Sequence, residues 1–302
     1  MADIRAGESF VSAEFSTSFA REHEQVTVHI SAASDVGSIR QVNEDSYFAN
    51  APVFLVADGM GGHSYGDRAS QTVAAEFNET YEAGTFEPTT PHVVLEVIDR
   101  SNAGVQNLVS AADGPGAVAG TTLAGVALVE ADEMGPQGLH WMIFNIGDSR
   151  VYGWNGRSLV QITVDHSAVQ EMVSMGLITA EEALVHPDRN VITRAVGSEA
   201  QVEADIWLMP TRGHQVFLVC SDGLTKELDD AQIAELILAY GADPEPGLSL
   251  AEHLVQNAVE RGGRDNITVV VVESELANDD SEAVARAGDR VHLPAEESKD
   301  AS

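Results

Sequence analysis

The chain contains the run Val53-Phe54-Leu55-Val56-Ala57-Asp58-Gly59, in which five apolar residues end in an aspartate–glycine pair. Two later runs repeat this arrangement: Phe144-Asn145-Ile146-Gly147-Asp148-Ser149 and Phe217-Leu218-Val219-Cys220-Ser221-Asp222-Gly223. A fourth aspartate, Asp265, stands just before the apolar run 267–272. Short apolar runs rich in β-branched and aromatic residues are typical of buried strands. In an antiparallel sheet the end of one strand is level with the start of its neighbour, so the four carboxylates can meet at one edge.

The predicted strands and helices come in groups rather than in strict alternation. Strands are predicted at 26–30, 53–57, 123–129, 141–146, 159–164, 216–220 and 267–272, and helices at 69–81, 93–109, 231–238 and 250–259. Ser249 and Glu252 form a capping-box pair at the start of the last helix. This grouping favours antiparallel sheets flanked by helix pairs over a doubly wound parallel sheet. The expected fold class is α+β.

The two ends of the chain differ in composition from the middle. Residues 1–26 are polar and predict a flexible N-terminal arm. Residues 276–302 are acidic and poor in β-branched and aromatic residues, which predicts a disordered tail. The sequence therefore predicts a single domain over residues 27–275.

The charge balance restricts the partners. The chain has 16 basic and 48 acidic residues, a formal net charge of −32, and its only lysines are Lys226 and Lys299. Such a chain would repel nucleic acid and has no basic stripe to bind it. The acidity indicates a solvated surface that keeps the protein monomeric, and a salt-adapted host would give the same composition.

The single cysteine and the hydropathy indicate the compartment. Cys220 has no partner for an intrachain disulfide, which points to a reducing cytoplasm. The chain has no apolar run of about 18 residues and no signal-peptide pattern at its start. We therefore expect a cytoplasmic protein without a membrane span.

The four aspartates suggest a metal site. Carboxylates this close together disfavour one another's ionisation, so a cation is expected among them. No cysteine or histidine cluster has zinc-like spacing, and hard oxygen ligands suit Mg²⁺ or Mn²⁺. Two such ions about 3.5–4 Å apart would activate a water molecule. The alternative is that each aspartate–glycine pair is only a turn.

The polar stretch 34–46 carries further candidates. The guanidinium of Arg40 suits a phosphate group, although an isolated arginine is also a common surface ion-pair partner. Glu44 and Asp45 could support the metal ions through water, or could simply cap a turn.

These residues fall into an ordered set of motifs that resembles the metal-dependent protein phosphatase 2C family in its bacterial form. The match runs over about residues 28–273 and comprises 34–37 with Arg40 and 43–45, then 56–63, 120–122, 147–150, 221–223 and 264–268. Each motif is short, but the ordered set is specific. The resemblance implies a four-layer αββα sandwich of two antiparallel sheets flanked by helix pairs.

The resemblance also implies a set of metal ligands. Asp58 would bridge two Mn²⁺ or Mg²⁺ ions, with the Gly59 carbonyl on one ion and Asp222 and Asp265 on the other. Asp148, together with Asp222, would match a weaker third site. The reaction implied is hydrolysis of phosphoserine and phosphothreonine by metal-activated water, without a phosphoenzyme. The implied partners are phosphorylated proteins, including a serine/threonine kinase and its substrates.

The resemblance implies some of the substrate contacts but leaves the proton donor open. Arg40 would hold the phosphate. Animal members place a histidine directly after the aspartate–glycine pair, whereas this chain has Met60 there and His63 three residues later. Either His63 or a metal-bound water would protonate the leaving group. The segment 167–197 resembles the flap of bacterial members and would either select substrates or form a packed surface element.

Two other phosphatase mechanisms do not fit. Cysteine-dependent enzymes need Cys-x5-Arg, but the residue six positions after Cys220 is Lys226, which lacks the planar fork of arginine. No P-loop string is present. The remaining alternative is a catalytically silent module that binds phosphoproteins, and loss of a metal aspartate would have favoured it.

Overall fold

The computed structural model describes residues 10–21, 24–61, 65–81, 86–110, 117–131, 138–277 and 291–293. The strands are β1 Phe10–Arg21, β2 Glu24–Asp35, β3 Asp45–Asn50, β4 Val53–Met60, β5 Gly120–Thr121, β6 Leu123–Glu130, β7 Leu139–Ile146, β8 Arg150–Trp154, β9 Leu159–Gln161, β10 Asp205–Pro210, β11 His214–Cys220, β12 Ile267–Ala277 and β13 Val291–Leu293. The helices are α1 Gly66–Thr80, α2 Pro91–Gln106, α3 Ala168–Ser174, α4 Ala180–Ala183, α5 Asp222–Glu227, α6 Asp230–Ala242 and α7 Leu250–Arg261.

The strands form two antiparallel sheets. The first has the order β1-β2-β12-β11-β8-β9, and the second has the order β13-β10-β7-β6-β4-β3 with β5 beside β4. The sheets pack face to face around Trp141, whose ring centroid lies 5.4 Å from that of Phe217 and 6.4 Å from that of Phe54. Aromatic rings at these separations add to the apolar burial that holds two sheets together.

Helices cover the outer face of each sheet. Val73 and Phe77 of α1 are buried against the second sheet, and the Phe77 ring stacks on Phe144 at 6.2 Å. Leu254 and Val255 of α7 are buried against the first sheet in a cluster shared with α5 and α6. The predicted α+β class and the four-layer αββα arrangement are therefore confirmed. None of the helices in the described ranges has the length and apolar character needed to cross a membrane.

The N-terminal prediction is wrong for residues 10–21. They form β1, which pairs residue by residue with β2 along its whole length. Phe15 and Phe19 alternate with exposed polar residues and pack against the core between the sheets. The period-two pattern of a half-buried strand thus outweighs the polar composition. The other residues of the predicted arm before β2, 1–9 and 22–23, lie outside the described residues.

The C-terminal boundary also differs slightly. Strand β12 continues to Ala277, and Val291–Leu293 pairs with β10, so neither stretch belongs to a structureless tail. The rest of the predicted tail lies outside the described residues. Within the domain, the strand predicted at 159–164 is shorter, Leu159–Gln161, and the strands β3, β5, β8 and β10 were not predicted.

Candidate metal and phosphate site

The four aspartates of the sequence motifs lie at one edge of the sandwich. Asp58 is near the end of β4, Asp148 lies in the turn between β7 and β8, Asp222 begins α5 directly after β11, and Asp265 precedes β12. In addition to burial, the charges of Asp45, Asp222 and Asp148 raise the pKa of Asp58. The charge of Asp265 acts in the same direction on the pKa of Asp222. The ends of strands from both sheets thus position carboxylates at the same edge of the sandwich.

Two threonines fix the position of Asp58. The Asp58 backbone N–H donates to Thr122 Oγ1 at 2.9 Å, and the Asp58 carbonyl accepts from Thr122 N and Thr121 Oγ1, both at 2.9 Å. The Thr122 hydroxyl also lies 2.7 Å from that of Ser149. The motif Gly120-Thr121-Thr122 therefore ties the end of β4 to the turn that carries Asp148.

Asp222 is held by the pairing of its own N-cap with β12. Ser221 N donates to the Thr268 carbonyl at 3.0 Å, and Thr268 N donates to Ser221 Oγ at 3.0 Å. A Cβ on Gly223 would stand 1.9 Å from the Asn266 carbonyl oxygen. Only glycine allows this approach, which explains the aspartate–glycine pair at the start of α5.

Asn266 anchors the loop that carries Arg40. Its side-chain amide donates to the carbonyls of Val36 and Val42 at 2.9 and 3.0 Å, and its Oδ1 accepts from Glu44 N at 2.9 Å. Asn266 is 4% exposed, so these bonds are shielded from water. The loop is consequently fixed against the strand that follows Asp265.

Arg40 lies at the rim of the site. Its Nη2 is 2.7 Å from Asp265 Oδ1, and its Nη1 is 3.6 Å from Glu44 Oε2. The Arg40 side chain is 45% exposed, so part of the guanidinium faces solvent. Both sequence interpretations of Arg40 are compatible with this position, because the side chain makes an ion pair while remaining open to a ligand.

The carboxyl groups are poorly solvated. Burial, reinforced by the neighbouring carboxylates, raises the pKa of Asp58 well above its usual value. Burial likewise raises the pKa of Asp45 and of Asp148 to about 7. One oxygen each of Asp45, Asp148 and Asp222 is buried without a hydrogen-bond partner. Such a cluster favours a bound cation, and in its absence it retains protons.

Besides Arg40, a second cation of the chain reaches this cluster. Lys226 Nζ lies 2.5 Å from Asp222 Oδ2 and 2.8 Å from Asp265 Oδ2. Within the described ranges, no group of three or more acidic, histidine or cysteine side chains is already arranged to hold a metal ion. This role of Lys226 was not predicted from the sequence. Its spacing of four residues from Asp222 places the two side chains on one face of α5, a helix that was not predicted either.

The donor set nevertheless fits hard divalent cations. The unpaired oxygens of Asp148 and Asp222 are carboxylate oxygens. Two further oxygens, the Gly59 carbonyl oxygen and Glu44 Oε1, lie close to each other beside Gly66. Both are within 3.0 Å of the position that a Cβ on Gly66 would take. Oxygen donors of this kind suit Mg²⁺ or Mn²⁺ rather than zinc.

A second unpredicted residue fixes the turn of Asp148. His166 Nδ1 accepts from Gly147 N at 3.0 Å, and His166 N donates to the Gly147 carbonyl at 2.9 Å. The other ring nitrogen lies 3.3 Å from Asp205 Oδ2. Despite burial, His166 and Arg194 lower the pKa of Asp205 to about 2. His166 therefore links the Asp148 turn to the base of the predicted flap.

A groove leads from the aspartates to the flap. It has a volume of about 1160 Å³ and is lined by Asp148 and Asp222 on one side and by Leu184 and Arg189 on the other. The flap contains α3 and α4, and α4 begins with a capping box formed by Thr179 and Glu182. His63, one of the two candidates for the general acid, lies outside the described residues.

Carboxylates that can hold divalent cations, an exposed guanidinium beside them and an open groove define a metal-dependent phosphoric monoester hydrolase. A sequence model of the protein phosphatase 2C family matches residues 38–255. The chain belongs to this family of serine/threonine protein phosphatases.

Curated relatives agree with this assignment. The serine/threonine phosphatase stp of Listeria monocytogenes serotype 4b (strain F2365) is 32% identical over 257 residues, which cover 82% of this chain and 97% of the relative. The serine/threonine protein phosphatase PstP of Mycobacterium tuberculosis (strain ATCC 25618 / H37Rv) is 35% identical over 248 residues, covering 82% of this chain and 45% of the relative.

Solved structures share the fold. The PPM Ser-Thr phosphatase MsPP from Mycobacterium smegmatis, in complex with cacodylate, has a TM-score of 0.66 at 33% identity and covers 80% of this chain and 97% of that chain. The catalytic domain of the serine threonine protein phosphatase PstP, in complex with 2 manganese ions, has a TM-score of 0.67 at 31% identity. The match covers 84% of this chain and 100% of that chain.

Proposed function

We propose that this protein removes phosphate from phosphoserine and phosphothreonine residues of other proteins at the edge formed by Asp58, Asp148, Asp222 and Asp265. The observation that supports this most directly is the set of buried carboxylate oxygens without hydrogen-bond partners on Asp148 and Asp222. Unpaired acceptors of this kind are costly unless a cation compensates them.

We propose the metal ligands that the family resemblance implies. Asp58 would bridge two ions, with the Gly59 carbonyl and Glu44 on the side of one ion and Asp222 and Asp265 on the other. Asp148 and Asp222 would form a third, weaker site. Mn²⁺ or Mg²⁺ bound there supplies the Lewis acidity that activates water and offsets the negative charge of the phosphate.

The protein's own side chains would bind and orient the substrate. The guanidinium of Arg40 would donate hydrogen bonds to two phosphate oxygens, because its planar fork matches them and part of it is exposed. Cys220 is buried, and burial raises the pKa of its thiol to about 12, which argues against a cysteinyl phosphate. Water is therefore the proposed nucleophile, with no phosphoenzyme. His63 or solvent would supply the proton to the leaving serine or threonine.

The groove supports a protein substrate rather than a small one. It extends from Asp148 and Asp222 past Leu184 and Val185, which are exposed apolar residues of the flap. A polypeptide around the phosphorylated residue could lie there. We propose that the partners are a serine/threonine kinase and its substrates. The protein is proposed to act as a cytoplasmic monomer through one catalytic domain that includes β1 and continues to the end of β12.

Hydrolysis assays test this function. Turnover of para-nitrophenyl phosphate and of a phosphothreonine peptide is measured with Mn²⁺, Mg²⁺ or chelator, for the parent and for Asp222→Asn. We expect metal-dependent turnover in the parent and a loss of about 100-fold or more in the variant, because one ligand carboxylate is removed. A folded parent without turnover under any metal would overturn the proposal and favour the phosphoprotein-binding module.

A further inference from the structure

Lys226 occupies an unusual place for one of only two lysines in the chain. It lies one helical turn after Asp222, and its ammonium contacts both Asp222 Oδ2 at 2.5 Å and Asp265 Oδ2 at 2.8 Å. The side chain is 33% exposed, and it also lines the groove. The ammonium thus faces the carboxylates while the stem remains next to open space.

The charges of the cluster explain this contact. Burial by itself would lower the pKa of Lys226, but Asp222 and Asp265 raise it above its usual value. Lys226 and Arg40 in turn lower the pKa of Asp265 against the effect of burial. The two poorly solvated carboxylates are therefore neutralised in part by cations that belong to the chain, Lys226 on both and Arg40 on Asp265.

The same two carboxylates are proposed metal ligands. Lys226 Nζ contacts Oδ2 of Asp222 and of Asp265, while Asp222 Oδ1 has no hydrogen-bond partner and Asp265 Oδ1 contacts Arg40. A divalent ion held by these carboxylates would therefore lie within a few ångströms of the ammonium, and like charges at that separation repel. Lys226 thus opposes metal binding through its charge.

We propose that Lys226 is an internal cation that competes with the divalent ion for Asp222 and Asp265 and so sets the metal affinity of the site. The inference rests on the proposed ligand assignment. On metal binding the ammonium moves along its flexible stem into the groove, where Asp229 and Asp230 offer other carboxylates. The site is consequently stable without metal but binds metal more weakly than its ligands alone would.

Calorimetric titration of the chelator-treated full chain with MnCl₂ tests the competition. Lys226→Met keeps the apolar stem and removes the charge, so we expect about tenfold tighter Mn²⁺ binding, which corresponds to about 1.4 kcal/mol. Lys226→Arg keeps a cation and should change the affinity less. Arg157→Gln removes the same charge from an exposed side chain at the far end of β8 and should leave the affinity within about twofold of the parent.

Thermal unfolding in chelator provides a second readout. Lys226→Met should have a lower Tm than the parent in chelator and a larger rise in Tm on adding Mn²⁺. If the variant does not fold without metal, Lys226→Gln is titrated instead. Equal or weaker Mn²⁺ binding by a folded Lys226→Met or Lys226→Gln would overturn the inference. Absence of Mn²⁺ binding by the parent would instead overturn the ligand assignment itself.

Discussion

Asp45 lies directly opposite Asp58 in the antiparallel pair of β3 and β4. Both carboxyl groups belong to one buried cluster, in which the hydroxyls of Ser221 and Thr268 hydrogen-bond to Asp45. Asp45 itself is 3% exposed. The site thus concentrates negative charge on adjacent strands where water cannot screen it, and without metal the cluster retains protons that isolated carboxyl groups would lose.

We expect the metal-free protein to become less stable as the pH rises. In the folded state burial raises the pKa of Asp45 and of Asp148 to about 7, from the ordinary value of 3.8. The folded state therefore binds more protons than the unfolded chain, so the stabilisation is complete below about pH 4 and is lost as the pH rises through about 7. The Tm in chelator should fall by several degrees between about pH 5 and pH 8.

Two controls separate this effect from general charge repulsion. Saturating Mn²⁺ should remove most of the pH dependence, because the ion compensates the ionised carboxylates. Asp148→Asn should reduce the slope in chelator, since one of the titrating groups is gone. A metal-free Tm that stays constant or rises over this range would contradict the prediction.

Gly223→Ala should disturb both stability and activity. The added Cβ would meet the Asn266 carbonyl at 1.9 Å, and a backbone atom cannot move aside cheaply. We expect a loss of about 1–3 kcal/mol in the free energy of unfolding. The phosphatase activity should fall as well, because the adjacent Asp222 must shift.

Gly241→Ala is the matched control. Gly241 lies in α6, and its Cβ would meet nothing within 4 Å. Alanine in a helix is more favourable than glycine by about 0.5–1 kcal/mol, so this variant should be as stable as the parent or slightly more stable. Equal stability of both variants, measured by urea unfolding, would argue against the close approach at Gly223.

Arg40→Lys should weaken phosphate binding although it conserves the charge. Lysine cannot present two parallel N–H donors to two phosphate oxygens. We expect kcat/KM for a phosphothreonine peptide to fall about tenfold or more, mainly through KM. Arg100→Lys is the control, because Arg100 pairs with Glu76 between α1 and α2 on the outer face of the second sheet. Unchanged kcat/KM for Arg40→Lys would remove Arg40 from the phosphate site.

The sequence predicted the buried parts of the fold well. Strands β4 and β11 contain unbroken apolar runs, 53–57 and 216–220, because helices cover the outer faces of the sheets, and such runs are easy to detect. Strand Phe10–Arg21 was missed because only one of its faces is covered. Its evidence was alternation, which is weaker than an unbroken run.

Only the residues of the site that belong to sequence motifs could be predicted. Aspartates at strand ends, such as Asp58, identified the edge, since strand geometry brings the ends of neighbouring strands together. The contact of Lys226 with Asp265 joins residues 39 positions apart, and that of His166 with the Gly147 amide depends on the path of the chain after β9. Tertiary packing determines such contacts, and no local sequence pattern predicts them.

Asn266→Ala should loosen the loop that carries Arg40 and Glu44. The variant loses three hydrogen bonds and leaves backbone groups of Val36, Val42 and Glu44 without their partner. We expect a loss of about 2 kcal/mol or more in the free energy of unfolding, together with reduced kcat/KM. Asn257→Ala removes a single local bond to the His253 carbonyl within α7 and should have a small effect. Similar results for the two variants would contradict the anchoring role.

Deleting residues 1–21 tests whether β1 is part of the folded domain. The strand pairs with β2 along its whole length, and the Phe19 ring lies 6.1 Å from that of Phe86, next to the core between the sheets. Its removal would expose an edge of the first sheet and part of that core, so we expect the Tm to fall by about 5 °C or more.

Point variants of β1 sharpen this test, because the two faces of the strand differ. Phe19→Ala removes a partly buried ring and should cost about 1–2 kcal/mol, less than the truncation of a fully buried phenylalanine. Ser18→Ala lies on the exposed face and should change the free energy of unfolding by less than about 0.5 kcal/mol. If both variants and the deletion unfold like the parent in thermal scans, β1 contributes nothing to stability, and residues 1–21 behave as the flexible arm that their composition predicts.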